Sequence, residues 1–311
     1  NIDPGYQAYL LKTDLRGDTL WAKTYGGNGT ESANSVCQNR DGGFVLAGYT
    51  NSDISSTDMY LVKTDYLGDE LWSKNLGGTG VDIASKVITL PEGGYIVCGY
   101  TSSYGAGSYD AYILKVNEEG SEEWDYTYGS TLSDGATTAT LTSDGKIVIA
   151  GYENAVPGPF TGNNIFLMKM DPDQGDTLWV KHYLEGSQSD RVSHVIETED
   201  EGFMLVGFNK ITGNPDNYSD ILVIKTDHKG NIVNRKTFDF GKNDYGKSIQ
   251  AAYDGGYIVA GSSGDDYAPE GSEDHPRVLL LKLSTSQNNS WSRLLGNPLY
   301  KNSGNAMVIA P

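Results

Sequence analysis

"DGGFVLAGYT", residues 41–50, decides the fold. A glycine pair, a short apolar run, a late glycine and an aromatic residue follow one another. Nearly the same phrase returns as "EGGYIVCGYT" at 92–101, "SDGKIVIAGY" at 143–152, "DEGFMLVGFN" at 200–209 and "DGGYIVAGSS" at 254–263. Five copies make an internal repeat, and a repeat period governs the architecture before any local signal does.

A second phrase follows the first. It reads "MYLVKTDYLGDELWSKNLGG" at 59–78, with relatives at 8–27, 111–130, 165–186, 221–241 and 278–296. Its lysine serves as a ruler: Lys12, Lys63, Lys115, Lys169, Lys225 and Lys282 are 51, 52, 54, 56 and 57 residues apart. Each repeat holds four runs of strand length, here called a to d. In the first full repeat they are "ANSVCQ" (33–38), "GFVLAGYT" (43–50), "MYLVKTD" (59–65) and "ELWSKNLG" (70–77). Asp-Gly-Gly joins a to b, and Asp-x-x-Gly joins c to d, as in 14–17, 65–68 and 227–230. Both are hairpin signatures. No segment carries helical periodicity with caps.

The repeat is therefore a four-stranded antiparallel meander. One meander cannot bury both of its faces, whereas meanders set side by side around an axis can. The expected fold class is all-β, a β-propeller of four-stranded blades. Blades fall at about 31–76, 82–128, 134–183, 190–239 and 244–295, with a closing blade from 303–311 plus 1–25. That makes one six-bladed propeller over 1–311, or seven blades if the array runs beyond these residues. The late glycine of strand b is expected to admit a side chain of the next sheet.

Composition narrows the partners. The 311 residues carry 41 acidic and 23 basic side chains, a formal net charge of −18. Nucleic acid and anionic membrane surfaces would repel such a chain. No apolar run approaches the roughly 18 residues of a membrane span. Cys37 and Cys98 lie in apolar strand phrases of different repeats and are expected to be buried free thiols. His182, His194, His228 and His275 have no metal-ligand spacing to one another. The glycine pairs sit in hairpins, so there is no phosphate loop.

The combined phrase "GGYIVAG" and "YLVKTD-x-x-G-x-x-LW-x-K" resembles the tandem-repeat propellers of secreted and cell-surface proteins of Bacteroidota and some archaea. The likeness covers essentially the whole chain. It implies an extracellular or cell-surface location; many bacterial members carry a sorting domain for type IX secretion, which is not in these residues. A more distant likeness is to the Trp-containing blades of quinoprotein dehydrogenases.

Several repeated residues are candidates for a role. Trp21, Trp72, Trp124, Trp179 and Trp291 recur in strand d and are expected to wedge between blades; repeat five has Asn234 there. An Asp or Asn stands two residues after five of the lysines (Asp14, Asp65, Asn117, Asp171, Asp227), on the same strand face, predicting a Lys–carboxylate pair or a Lys–carbonyl network. A carboxylate precedes strand a at Glu31, Asp82, Asp134, Asp190 and Asp244, with Ser303 in the last copy. Read structurally, these acids accept backbone N–H groups at one mouth of the propeller; read chemically, they bind a cation. No cofactor is expected. Calcium is the alternative, either there or at "DPDQGD" through Asp171, Asp173 and Asp176.

The b–c loop lengthens along the chain while other connections change less. That face offers Tyr104, Tyr109, Phe160, Tyr218, Tyr267 and Tyr300 among small polar residues, a recognition composition. The expected function is non-catalytic: an extracellular binding or scaffold propeller recognising protein or glycan through its b–c/d–a loops. Two alternatives stand beside it. One is a self-assembling subunit of a surface layer or filament. The other is a polysaccharide hydrolase or lyase using acids of the carboxylate row and of the loop 265–274.

Overall fold

The computed structural model describes residues 5–52, 56–154, 163–183, 188–211, 218–265, 274–297 and 300–307. These residues form strands and no α-helix, so no helix among them is long and apolar enough to cross a membrane. A two-stranded sheet, β1 (Ala8–Thr13) and β2 (Thr19–Tyr25), comes first. Five four-stranded sheets follow. They are β3 (Glu31–Gln38), β4 (Phe44–Thr50), β5 (Asp58–Thr64), β6 (Glu70–Leu76); then β7 (Asp82–Thr89), β8 (Tyr95–Thr101), β9 (Asp110–Val116), β10 (Glu122–Tyr128). Next are β11 (Gly135–Leu141), β12 (Ile147–Asn154), β13 (Asn163–Met170), β14 (Thr177–Tyr183); then β15 (Gln188–Glu197), β16 (Phe203–Ile211), β17 (Ser219–Thr226), β18 (Ile232–Phe238). The last are β19 (Asn243–Ala251), β20 (Tyr257–Gly264), β21 (Arg277–Leu283) and β22 (Asn289–Leu295). In every sheet, strands neighbouring in sequence neighbour in space. Residues 301–307 carry no strand, and the rest of the closing phrase, 308–311, lies outside the described residues.

The chain divides into two compact units. The first comprises Asn1–Leu141, Gly145–Ile149 and Lys169–Leu178; the second comprises Thr142–Asp144, Ala150–Met168 and Trp179–Pro311. Within each, burial follows the sequence pattern. Strands b and c read as continuous apolar runs, and β5 is buried along its whole length. Such runs suit strands covered on both faces. Strand d alternates, as in β6, because its outer edge meets solvent. In the first unit Val45, Ala47, Met59 and Leu61 of one sheet pack on Val87, Tyr95, Val97 and Leu114 of the next. In the second, Met204, Val206, Ile221 and Val223 pack on Ile249, Val259, Leu279 and Leu281. Each such side chain contributes about 1.5–3 kcal/mol when fully buried.

The strand-d tryptophans sit beneath the c–d turn of the following sheet. A Cβ on Gly68 would fall 2.8 Å from Trp21, and one on Gly120 or Gly230 would fall 2.9 Å from Trp72 or Trp179. The indole N–H of Trp72 donates to the Glu118 carbonyl and that of Trp124 to the Pro172 carbonyl, both at 3.0 Å. Only glycine fits between the indole and the turn, and Gly68 also has φ of +80°, a region costly to other residues. Where the tryptophan is lost, the glycine is lost with it. Asn234 donates from Nδ2 to Gln287 Oε1 at 2.7 Å, and Gln287 holds the turn at φ of +57°. Trp291 is 43% exposed.

Two expectations are corrected by local geometry. The late glycine of strand b admits a backbone carbonyl of its own sheet, not a side chain of the next. Strand a carries a bulge opposite it, between Ala33 and Ser35, Ala84 and Lys86, Val192 and His194, and Gly246 and Ser248. A Cβ on Gly48, Gly99, Gly207 or Gly261 would fall 1.7–1.9 Å from the carbonyl oxygen of Ser32, Ile83, Arg191 or Tyr245. Lys63 and Lys225, in turn, do not pair with the residue two positions on. Lys63 reaches Glu118, Lys225 reaches Asp200 and Lys282 reaches Asp254. Asp65 caps its own turn instead, its Oδ1 accepting the N–H groups of Leu67 and Asp69 at 2.8 and 2.9 Å. Local capping by Asp outcompetes an ion pair there. The lysine–carbonyl half of the expectation is met at Lys225, which donates to the Thr226 carbonyl at 2.7 Å, and at Lys282, which donates to that of Gly255 at 2.8 Å.

Candidate functional site

The carboxylates before strand a lie at the seam between neighbouring sheets. The seam is built by backbone pairing: Thr57 bridges Val81 and Tyr109 bridges Ser133 in parallel. The N–H groups of Glu31, Asp82 and Asp134 donate to the carbonyls of Tyr6, Thr57 and Tyr109 at 2.7–2.8 Å. Each acidic side chain then turns into protein. Glu31, Asp82, Asp134, Asp190 and Asp244 are all buried. A buried carboxylate is costly unless hydrogen bonds replace its water.

All five accept hydrogen bonds, and Asp190 also pairs with an arginine. Glu31 Oε2 accepts the Gly27 N–H at 3.1 Å, and Oε1 accepts the hydroxyls of Thr50 and Ser52. Asp82 repeats this with the Gly78 N–H at 2.8 Å, the Ser103 hydroxyl at 2.6 Å and the Thr101 hydroxyl. The Ser130 N–H donates to Asp134. Asp190 takes the Asn209 amide and, at 2.8 Å, the Arg235 guanidinium. At Glu31 and Asp82 the donors come from the d–a loop on one side and from the end of strand b and the residues after it on the other. The acids thus tie the two loops together: Gly80 N–H donates to Ser103 Oγ at 2.8 Å and Val81 N–H to Ser102 Oγ at 2.7 Å in the same knot.

Asp244 differs. Its Oδ2 accepts the Phe240 N–H at 2.6 Å, but its buried Oδ1 has no hydrogen-bond partner. Burial pushes its carboxyl up to about 6 from 3.8; the Ser263 hydroxyl and the Phe240 N–H oppose the rise, and the Asp239 and Asp220 charges add to it. A carboxyl held more tightly protonated in the fold contributes its stability fully below pH 3.8 and loses it as pH rises through about 6. Melts of wild type and Asp244→Asn between about pH 4.5 and 7.5 check this. The asparagine variant should gain on wild type as pH rises; a pH-independent difference contradicts it.

A second acid recurs at the start of strand c: Asp58, Asp110 and Asp220. It faces the carboxylate 24 residues on in the next sheet. A Cβ on Gly129 would lie 2.2 Å from Asp110 Oδ1 and 2.8 Å from Asp134 Oδ2, so the two carboxylates flank one glycine. Asp58 is raised by its burial and then by Asp82. Sequence reasoning passed over this series, although each member stands five residues before the ruler lysines Lys63, Lys115 and Lys225.

The other candidates are scattered. Tyr104 is 42% exposed; its hydroxyl donates to the Gly77 carbonyl at 3.0 Å and its ring lies 5.4 Å from that of Tyr112. Tyr109 packs edge-on against Tyr100 at 5.4 Å. Tyr218 lies beneath the Lys242 ammonium, 5.5 Å from the ring centre. Tyr300 is exposed, and Phe160 and Tyr267 lie outside the described residues. Asp171 is held by Lys146 at 2.6 Å and lowered by that ion pair, while its Oδ1 accepts the Asp173 N–H at 3.0 Å. Asp173 and Asp176 are exposed on the same c–d turn.

No family model and no curated protein matches the chain. Solved structures do. A protein of unknown function from Dyadobacter fermentans DSM 18053 is similar with a TM-score of 0.58 and 13% identity, over 88% of this chain and 84% of that one. A thermostable family-43 glycoside hydrolase is similar at 0.51 and 14%, over 87% and 94%. The WD40 domain of Neurospora crassa Pan2 is similar at 0.51 and 9%, over 84% and 65%. The fold is a β-propeller. These identities carry the fold alone. They also correct the expectation of a chain without catalysis: a glycoside hydrolase has the same propeller fold, so repeated blades with variable loops are no ground for excluding an enzyme.

Proposed function

We propose that this propeller is a recognition module that binds glycan or protein through its b–c and d–a loops, outside the cell or on its surface. The observation that carries the reading is Tyr104. It is a partly exposed aromatic ring held at two points, by its hydroxyl on Gly77 and by a tilted ring contact with Tyr112. A ring already held still loses little entropy on binding. The surrounding loops are tied by the buried carboxylates, so the platform rests on a rigid base. Cys98 is buried and Cys37, against the expectation from sequence, only half-buried; each thiol is pushed up to about 12, first by burial, which keeps it in the unreactive protonated form. Hydrolysis by the carboxylate row has no comparable support, because a general acid must reach its substrate and these five are sealed.

A glycan and surface-protein array on the purified chain tests the reading. Tyr104→Ala is expected to weaken the strongest hit by roughly tenfold, the worth of one stacking aromatic at about 1–1.5 kcal/mol. Its melting temperature should stay within a few degrees of wild type. Equal binding by wild type and variant for every hit would place the site elsewhere.

A further inference from the structure

Among the described residues, one group of three acids brings a carboxylate oxygen from each within 4.8 Å of the others: Asp220, Asp239 and Asp244. All belong to the second unit. Asp220 lies in β17, Asp239 follows β18 and Asp244 lies in β19. Three like charges at this distance repel, and the fold supplies little to offset them. Asp239 Oδ1 accepts the Gly241 N–H at 2.6 Å. The Lys242 ammonium, two residues from Asp244, is engaged by the Tyr218 hydroxyl at 3.5 Å and the Asp274 carboxylate at 3.6 Å.

The independent observation is the orphaned oxygen. Asp244 is fully buried and Oδ1 has no partner. At the equivalent Asp82, Thr and Ser hydroxyls cover both carboxylate oxygens, and at Glu31 two hydroxyls cover Oε1 while the Gly27 N–H covers Oε2. At Asp190, Arg235 supplies a positive charge, and the last sheet has Ser292 in that register position. The repeat departs from its pattern at a second place too. Five residues before the strand-a acid stand Gly26, Gly77 and Gly129, each pressed against it; the fourth copy has Glu185 in the sequence, and at this seam the residue is Asp239. Among the described residues, the seam whose strand-a acid keeps an unpartnered oxygen, Asp244 Oδ1, is also a seam that adds an extra acid.

We propose that Asp220, Asp239 and Asp244 form a calcium-binding site that completes this seam. Calcium bonds to oxygen at about 2.3–2.6 Å, so one ion spans oxygens up to about 5 Å apart, whereas magnesium at about 2.0–2.1 Å would require the three to close in. An all-carboxylate donor set suits either hard ion and disfavours zinc and copper. The ion supplies the partner that Asp244 Oδ1 lacks, and locks the d–a loop of the fourth sheet to the fifth. The site does not rest on the Tyr104 reading, which concerns the first unit.

The test is calorimetric titration of the purified chain with calcium chloride and with magnesium chloride, after chelator treatment, beside melts in both conditions. Wild type should bind calcium and melt higher with it, with magnesium at least tenfold weaker. Asp239→Asn, at an exposed position, should fold normally and lose at least tenfold in calcium affinity; Asp244→Asn should lose the response altogether while melting no lower than wild type in chelator. No calcium binding by wild type would overturn the site. So would a calcium response kept in full by both variants.

Discussion

Gly99→Ala is expected to destabilise the chain by about 3 kcal/mol, the upper range for overpacking. The added Cβ would stand 1.9 Å from the Ile83 carbonyl oxygen and 2.9 Å from Ala84 Cα. Both are backbone atoms, so no side-chain rotation relieves the clash. The bulge between Ala84 and Lys86 would have to flatten, and that moves the Asp82 end of the strand out of register with the seam. Gly145→Ala is the control. It also changes a glycine, at φ of +76°, but nothing lies within 4 Å of the new Cβ. Its cost is the left-handed backbone alone, about 1 kcal/mol. Urea melts of the two variants should separate by about 2 kcal/mol at similar m-values. Equal costs would mean that the bulge yields freely.

Asp82→Ala is expected to cost about 4 kcal/mol, and Asp82→Asn about half of that. Alanine leaves the Gly78 N–H and the Thr101 and Ser103 hydroxyls without their acceptor. Each buried donor so orphaned costs about 1–3 kcal/mol. Asparagine keeps one acceptor but turns an N–H₂ toward groups that donate. The loss should be local as well as global: Ser103 also holds the Gly80 N–H, and Tyr104 follows it in sequence. Hydrogen exchange at Gly78, Gly80 and Val81 should quicken in the alanine variant ahead of exchange in β8 and β9. Uniform protection across the second sheet would show that the carboxylate does not anchor the loop.

The blade repeat was legible because it rests on local chemistry written many times. The ruler lysine recurs in every unit, the strand-d tryptophan in most and the Asp-x-x-Gly turn in several, and the observed strands fall where those marks put them. The strand-a acids were legible for the same reason. What the sequence hid depends on pairing between strands. Gly99 is visible as a glycine, but the bulge that requires it appears only when β7 is set beside β8. The Lys63–Asp65 pair failed because alternation ends with the strand: Asp65 already belongs to the turn and serves its N–H groups. Asp220 could have been found from its spacing to Lys225. Asp239 reads as an ordinary strand-end acid until the three glycines at its equivalent positions are aligned with it.

The central claim is that one repeat position carries two different burdens: a satisfied carboxylate at Asp82 and an unsatisfied one at Asp244. Melting Asp82→Asn and Asp244→Asn side by side, in chelator at about pH 7.5, above the raised Asp244 value, tests it most directly. The account predicts opposite signs, with Asp82→Asn less stable than wild type and Asp244→Asn equal to it or more stable. A similar loss in both variants would contradict it, since Asp244 would then be as well satisfied in the fold as its counterpart.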